Sequence, residues 1–326
     1  MLVFEKKTDL EKHLTEQRKR GHTVGFVPTM GALHKGHISL IERSKAENDV
    51  TVCSIFVNPT QFNDKSDLEK YPRPIEADKA LLEKTGCDVL FVPGEREIYP
   101  EGGETRDEGR GTKEGMGNTD MGIVGTTVQH LPADTQSQLR QTSLKSDNRY
   151  LQVQLGDLEK VMEGTRRPGH FEGVVQVVSK LFDIVSPDRA YFGQKDFQQQ
   201  TIIKEMVRQL NYGIQIITCP IVREPDGLAM SSRNARLTPS ERAVAGIISQ
   251  TLFTIQKLAG KLSVDELTML VESEIAEGSL TELEYFEIVD AGTLQPVLNL
   301  DKAESAVACI AVKVGQVRLI DNVILK

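Results

Sequence analysis

Val24-Gly25-Phe26-Val27-Pro28-Thr29-Met30-Gly31-Ala32-Leu33-His34-Lys35-Gly36-His37 sets a short apolar run against a turn that carries two histidines three residues apart. If the run is a buried parallel strand and Ile38 opens a helix, both imidazoles flank a helix N-terminus. Free backbone N–H groups and the helix dipole favour phosphate there. The imidazoles can donate to phosphate oxygens as charge builds on them. Gly31 and Gly36 suit such a turn, since a missing Cβ permits positive φ and close approach of a ligand. Two histidines in this spacing can equally cap a helix or sit solvated on a loop.

The rhythm continues outward on both sides. Thr23–Val27, Val50–Val57, Val89–Val92, Ala190–Phe192 and Ile214–Cys219 read as strands. Between them, Ile38–Glu47, Ile75–Lys84, Val174–Val185 and Phe197–Leu210 carry apolar residues at helical spacing, with Pro187 and Gly213 as stop signals after the last two. Alternation of this kind predicts an α/β fold, a doubly wound Rossmann-like parallel sheet whose ligand lies beyond the carboxyl ends of the strands. After Val222 the texture changes. A helical stretch over Thr238–Leu258, a second over Val264–Ala276, and strands at Tyr285–Val289, Ala306–Val314 and Val317–Ile320 predict a smaller C-terminal α+β domain. The expected division is 1–222 and 223–326, with the boundary in Arg223–Gly227.

Between Glu101 and Arg149 no period of 2 or 3.6 persists, and eight of residues 101–125 are glycine. Such a stretch cannot bury enough apolar surface to offset its ordering entropy, so 101–149 is expected to be a flexible surface insertion, the alternative being a short hairpin around Gly122–Val128. The chain of 326 residues carries a formal charge of −8. That balance disfavours nucleic-acid binding, and an anionic substrate would need a local basic pocket. Cys53, Cys87, Cys219 and Cys309 lie far apart without C-x-x-C pairs, as buried thiols of a reducing compartment would. No run approaches the length of a membrane span or a signal-peptide core, and a cytoplasmic protein is expected.

Four further clusters fall at the ends of expected elements. In Phe56-Val57-Asn58-Pro59-Thr60-Gln61-Phe62, the amides of Asn58 and Gln61 could orient a hydroxy-carboxylate or serve only as turn residues. Tyr71-Pro72-Arg73 precedes Asp78, a candidate outer metal ligand or a solvated helix carboxylate. Arg166-Arg167-Pro168-Gly169-His170-Phe171 sets two guanidinium groups and an imidazole before a helix, a pattern suited to anions. Phe192-Gly193-Gln194-Lys195-Asp196-Phe197-Gln198-Gln199 offers Lys195 as a point charge for phosphate, and Asp196 as an N-cap, a ribose-hydroxyl acceptor, or both. Beyond the domain turn, Leu228-Ala229-Met230-Ser231-Ser232-Arg233-Asn234 could close two hydroxyls and an arginine over phosphates.

Taken in order, Pro28–His37, Phe56–Phe62, Arg167–Phe171, Gly193–Gln199 and Met230–Asn234 resemble the pantoate–β-alanine ligase family of the H-x-G-H nucleotidyltransferase superfamily. The resemblance covers nearly the whole chain except 101–149, where the family usually passes quickly from the Tyr99-Pro100 position to Leu158–Met162. It implies an ATP-dependent condensation of pantoate with β-alanine through a pantoyl adenylate, giving pantothenate, AMP and pyrophosphate. It further implies that Met30, Gly31, Ala32, Leu33, His34, Lys35, Gly36 and His37 contact ATP, together with Gly193, Gln194, Lys195, Asp196, Val222, Met230, Ser231, Ser232 and Arg233. His34, His37 and Lys195 are then the catalytic candidates, with His37 as proton donor. Gln61 and Gln199 bind pantoate, Gln61 also meets β-alanine, and Asn58, Arg167 or His170 assist. Mg²⁺ and a homodimer come with the resemblance. Other H-x-G-H nucleotidyltransferases and a non-catalytic nucleotide-binding protein remain as alternatives.

Overall fold

The computed structural model describes residues 1–63, 65–100, 149–278 and 280–326. The expected insertion, all but Arg149, and the alternative hairpin at Gly122–Val128 lie outside the described residues. In the first half, β1 (Leu2–Phe4), α1 (Lys7–Lys19), β2 (Val24–Thr29), α2 (Lys35–Glu47), β3 (Val50–Ile55), α3 (Lys65–Lys70), α4 (Ile75–Thr85), β4 (Val89–Phe91) and α5 (Glu95–Ile98) follow one another. After the undescribed segment come α6 (Met162–Arg166), α7 (His170–Val185), β5 (Arg189–Gly193), α8 (Phe197–Gln209) and β6 (Gln215–Cys219).

The strands form one parallel six-stranded sheet in the order β1-β4-β3-β2-β5-β6. Every residue of β3 is buried, as are all but Pro28 of β2, because helices cover both faces. Phe26, Val52, Phe91 and Phe192 pack beneath α7 and α8, while Val27, Cys53, Ile55 and Leu90 pack under α2 and α4. The strand order reverses between β2 and β5. At such a switch point the loops leaving the two strands diverge to opposite faces and open a crevice. Met30–His37 leaves β2 and Gly193–Asp196 leaves β5, so both motifs stand at its lip.

Then α9 (Pro239–Val244), α10 (Ile247–Leu258) and α11 (Val264–Ala276) precede an antiparallel meander of β7 (Thr281–Val289), β8 (Val307–Val314) and β9 (Val317–Ile324). Alternation along β8 separates its two faces. Ala308, Ile310 and Val312 pack on Leu252, Ile255, Leu267 and Val271 of the helices, whereas Val307, Cys309 and Ala311 face Met162 and Phe197 of the parallel-sheet half. The doubly wound sheet and the small α+β unit are therefore as the periodicities predict.

Several details differ from expectation, among them the starts of α7 and β7, each four residues earlier than Val174 and Tyr285. The helix over Thr238–Leu258 is two helices with a break at Ala245-Gly246; apolar spacing carries across the break and hides it. Thr238 caps the first of them through a reciprocal pair with Glu241. The second helix of the chain starts at Lys35, three residues earlier than read, and β1 with α1 precede the first expected element. Four cysteines are free and buried, and no described helix is long and apolar enough to cross a membrane.

Candidate active site

His34 is the N-cap of α2, so the capping reading and the site reading fall on one residue. Its Nδ1 accepts from Gly36 N–H at 3.1 Å, and Nδ1 of His37 accepts from His34 N–H at 3.3 Å. The rings lie 4.1 Å apart. A ring nitrogen that accepts carries no proton, so each neutral imidazole holds its hydrogen on Nε2. No described residue bonds either Nε2–H, and both remain free to donate. Gly36 is needed because a Cβ there would meet the His34 ring at 2.8 Å. Burial, aided by the Lys195 cation, lowers the pKa of His34 to about 4; burial, then His34 and Lys195, lowers that of His37 to about 3. Both are neutral donors at physiological pH.

The turn ahead of them is held from α4. Asp78, a candidate outer metal ligand or solvated helix carboxylate from the sequence, receives Ala32 N–H at 2.8 Å and Leu33 N–H at 2.7 Å on its two carboxylate oxygens. It is buried, and it fixes a turn in which Gly31 and Ala32 take φ of 83° and 50°. Positive φ at Ala32 is a strained choice that these charge-assisted bonds sustain. Among the described residues no group of three or more His, Cys, Asp or Glu side chains could hold a metal ion.

The amide pair at 58 and 61 is likewise built in. Asn58 Nδ2 donates to Gln61 Oε1 at 3.3 Å and Gly173 O at 3.2 Å, while its Oδ1 accepts from Tyr99 at 2.8 Å. Asn58 thus aims Gln61, whose Nε2 reaches the Met30 sulfur. His170 Nδ1–H donates to Gln61 O at 2.8 Å, and its Nε2 accepts from Arg167 at 3.1 Å; burial, then the Arg167 charge, lowers its pKa to about 4. His170 and Arg167 therefore brace the Gln61 turn. Of the glutamines on α8, Gln198 and Gln199 both line a cavity, and Gln198 is buried and tied to Leu158 O, Val161 O and Glu163 N–H.

That cavity, about 500 Å³, lies between the parallel-sheet half and the antiparallel sheet. Lys195, Asp196, Gln199, Arg167, His170, Ser231 and Arg233 line it, and so do Lys70, Arg166, Arg236, Lys313 and Arg318. This is the local basic pocket that an acidic chain needs for an anionic ligand. The Met30–His37 turn adjoins the cavity without forming its wall: Met230 lies against Gly36, and the Lys195 charge is felt at both histidines. Val222, whose carbonyl accepts from Met230 N–H at 3.0 Å, lies behind. Asp196 stands at the N-cap of α8, but its side chain makes no capping bond; it sits 3.7 Å from the Lys195 ammonium.

In the Ser231–Arg233 motif, Ser231 caps a short 3₁₀ turn and Ser232 meets the Tyr71 hydroxyl at 3.3 Å. Arg233 and Arg236 both bind Asp67 of α3, at 3.0 and 2.7 Å. Although burial opposes it, this pair of arginines holds the Asp67 carboxyl below the usual range. The motif's arginine is thus already engaged by a carboxylate.

Several residues of the cavity region escaped the sequence reading. Glu163, buried, accepts both arms of the Arg318 fork at 2.6 and 2.7 Å and the Tyr285 hydroxyl at 2.9 Å. Arg223, in the expected domain boundary, forks onto Asp321 of β9 at 2.6 and 3.0 Å, and Asn322 beside it reaches the Lys195 turn. The available signal was three polar residues, Arg318, Asp321 and Asn322, in the largely apolar run of β9.

Comparison with known proteins places this geometry in context. The sequence profile described as pantoate-beta-alanine ligase matches residues 2–324. The chain is 48% identical over 323 residues to a pantothenate synthetase of Bacteroides thetaiotaomicron, covering 99% of this chain and 98% of the relative. It is 49% identical over 316 residues to that of Phocaeicola vulgatus, covering 97% and 96%. Among solved structures, pantothenate synthetase from Thermus thermophilus superposes with a TM-score of 0.79 at 36% identity, covering 100% of this chain and 99% of that one. Pantoate-beta-alanine ligase from Francisella tularensis, complexed with beta-gamma ATP and beta-alanine, gives 0.70 at 32% identity, covering 100% and 98%.

Proposed function

The chain belongs to the pantoate-beta-alanine ligase family and forms pantothenate using ATP; from that premise we propose that both half-reactions run at the Lys195 corner of the inter-domain cavity. The observation that carries this is that the Lys195 turn and the turn bearing the two neutral histidines leave adjacent strands at the switch point of the sheet, where the Lys195 charge helps lower both imidazole pKa values. In the first half-reaction a pantoate carboxylate oxygen bonds to the α-phosphorus of ATP while the bond to pyrophosphate breaks. In the second, the amine of β-alanine attacks the acyl carbon of pantoyl adenylate, the bond to AMP breaks, and the ammonium proton is lost to water. No covalent enzyme intermediate is needed.

The first step is mainly positioning and neutralisation of phosphate charge. His34 and His37 donate Nε2–H to phosphate oxygens, and Lys195 supplies a cation beside them. Triphosphate charge beside His37 raises its pKa, so proton donation by this residue belongs to the loaded site only. Gly193–Asp196, Val222 and Met230–Arg233 complete the nucleotide site, and Arg233 exchanges Asp67 for phosphate when ATP enters. Gln61 and Gln199 hold pantoate, with Asn58 orienting Gln61. The Francisella relative, complexed with beta-gamma ATP and beta-alanine, supports ATP and β-alanine as ligands. In this reading Mg²⁺ arrives on the nucleotide as part of the substrate, since this ion keeps several waters and is commonly held through substrate phosphates.

Residues 1–222 serve in this reading as the ATP- and pantoate-binding domain and 223–326 as a lid. A homodimer and a cytoplasmic setting belong to it as well, supported by exposed Leu2 and Val3 on the edge strand β1 and by four buried free thiols. Sedimentation tests the first. The reaction is tested by exchange of labelled pyrophosphate into ATP without β-alanine: exchange requires pantoate, and exchange indifferent to pantoate overturns the adenylate route.

A further inference from the structure

The Lys195 turn is held from the opposite domain. Along β9, Arg318, Ile320 and Asn322 alternate toward the cavity, while Leu319 and Val323 join the helix-facing core. Asn322 is 1% exposed, and its carboxamide is saturated. Nδ2 donates to Gln194 O and to Lys195 O, both at 3.0 Å, and Oδ1 accepts from Gln194 Nε2 at 3.1 Å. The adjacent Asp321 takes the Arg223 fork, and Arg223 also reaches Gly227 O at 3.0 Å. One strand therefore grips the Lys195 turn and, through Arg223, the hairpin that leads into Met230–Arg233.

We propose that Asn322 is a positioning residue for adenylation: its amide fixes the two carbonyls that flank the Lys195 Cα and so sets where the ammonium meets the phosphates. The inference rests on the reading of Lys195 given above. A buried amide with three bonds to one dipeptide is a rigid link, because removing it leaves two part-buried carbonyls and the Gln194 amide without these partners. Lys195 itself is a flexible four-carbon stem, and its aim depends on a fixed backbone. The link also makes the catalytic cation answer to the position of the C-terminal sheet.

Asn322→Ala and the near-isosteric Asn322→Asp test this, the latter turning two donors into an acceptor against two carbonyls. Pantoate-dependent pyrophosphate exchange should fall roughly 10–100-fold in both. Aminolysis of supplied pantoyl adenylate, which carries no pyrophosphate to neutralise, should stay within about threefold of the parent. In a Lys195→Ala background the Asn322 substitutions should have little further effect on exchange, since neighbours acting through one another are non-additive. Equal loss in both half-reactions, additivity with Lys195→Ala, or failure of both variants to fold overturns the proposal. If Lys195→Ala alone leaves exchange intact, the reading of Lys195 fails instead, and the two failures are thereby told apart.

Discussion

The two sides of the proposed nucleotide site are built from different materials. Met30–His37 is held by neutral or inward-directed bonds: two imidazoles capping their own helix, and Asp78 receiving two backbone N–H groups. Ser231–Arg236 is held by ions, with Arg233 and Arg236 sharing Asp67 and a hydroxyl contact at Tyr71. The first side is complete before any ligand arrives. The second is closed by a carboxylate that a phosphate can replace, since guanidinium forks accept either anion. In the proposed mechanism the preorganised donors act at the reacting phosphorus, and the exchangeable ion pairs admit and release the substrate.

The sharpest way to break this contrast is to remove a donor from the rigid side. His37→Ala should depress pantoate-dependent pyrophosphate exchange by about 10²–10⁴-fold, the range for a positioned donor or charge stabiliser. An unchanged exchange rate would deny His37 its role. Next in size is Asp78→Ala. It leaves Ala32 in a strained conformation without its support, and should cost about 10–100-fold in kcat/KM for ATP together with a lower melting temperature. A loss of activity restored by excess Mg²⁺ would instead return Asp78 to metal binding.

How much of this was legible follows from how far apart the partners lie. The parallel sheet announced itself because β2, β3 and β5 are short apolar runs bounded by turns, and the site motifs hang on their carboxyl ends. The strand β1 went unread: it is three residues long, on an edge, with Leu2 and Val3 exposed, and α1 shows only Leu10 and Leu14 as its buried stripe. His34, His37 and Lys195 could be proposed from the sequence because each sits in a local string whose residue types suit phosphate, whereas Gln61 stayed an open turn residue until the family resemblance gave it a substrate. The work of Asp78, Glu163 and Asn322 was not, because each acts on residues tens to more than a hundred positions away. Only folding brings such partners together, and a lone carboxylate on a helix carries no mark of the turn it will hold.

Acid separates the two sides thermodynamically. His34, His37 and His170 have folded pKa values of about 4, 3 and 4, below the ordinary 6.5 of the unfolded chain. Between pH 6.5 and 4 the unfolded state binds more protons, so stability rises with pH across that window and is fully present above 6.5. Melting temperature should therefore fall on acidification from pH 6.5 to 4.5, and His37→Gln should flatten that slope. The Asp67 pairs titrate lower and leave this window untouched. A slope indifferent to the imidazoles would mean that the cap is not closed by neutral rings.

The smallest effect belongs to the exchangeable side. Asp67→Asn removes the anion that competes with phosphate for Arg233 and Arg236. Partly exposed pairs contribute under about 1 kcal/mol, so the melting temperature should move little and the difference between parent and variant should shrink as salt screens the pair. If Asp67 only occupies the arginines, freeing them should lower KM for ATP about two- to fivefold with kcat nearly unchanged. If Asp67 instead draws α3 down over the site, KM should rise and the gain should vanish. The sign of the change in KM decides whether the carboxylate is a placeholder for phosphate or a clasp, because only a placeholder must leave before the nucleotide can bind.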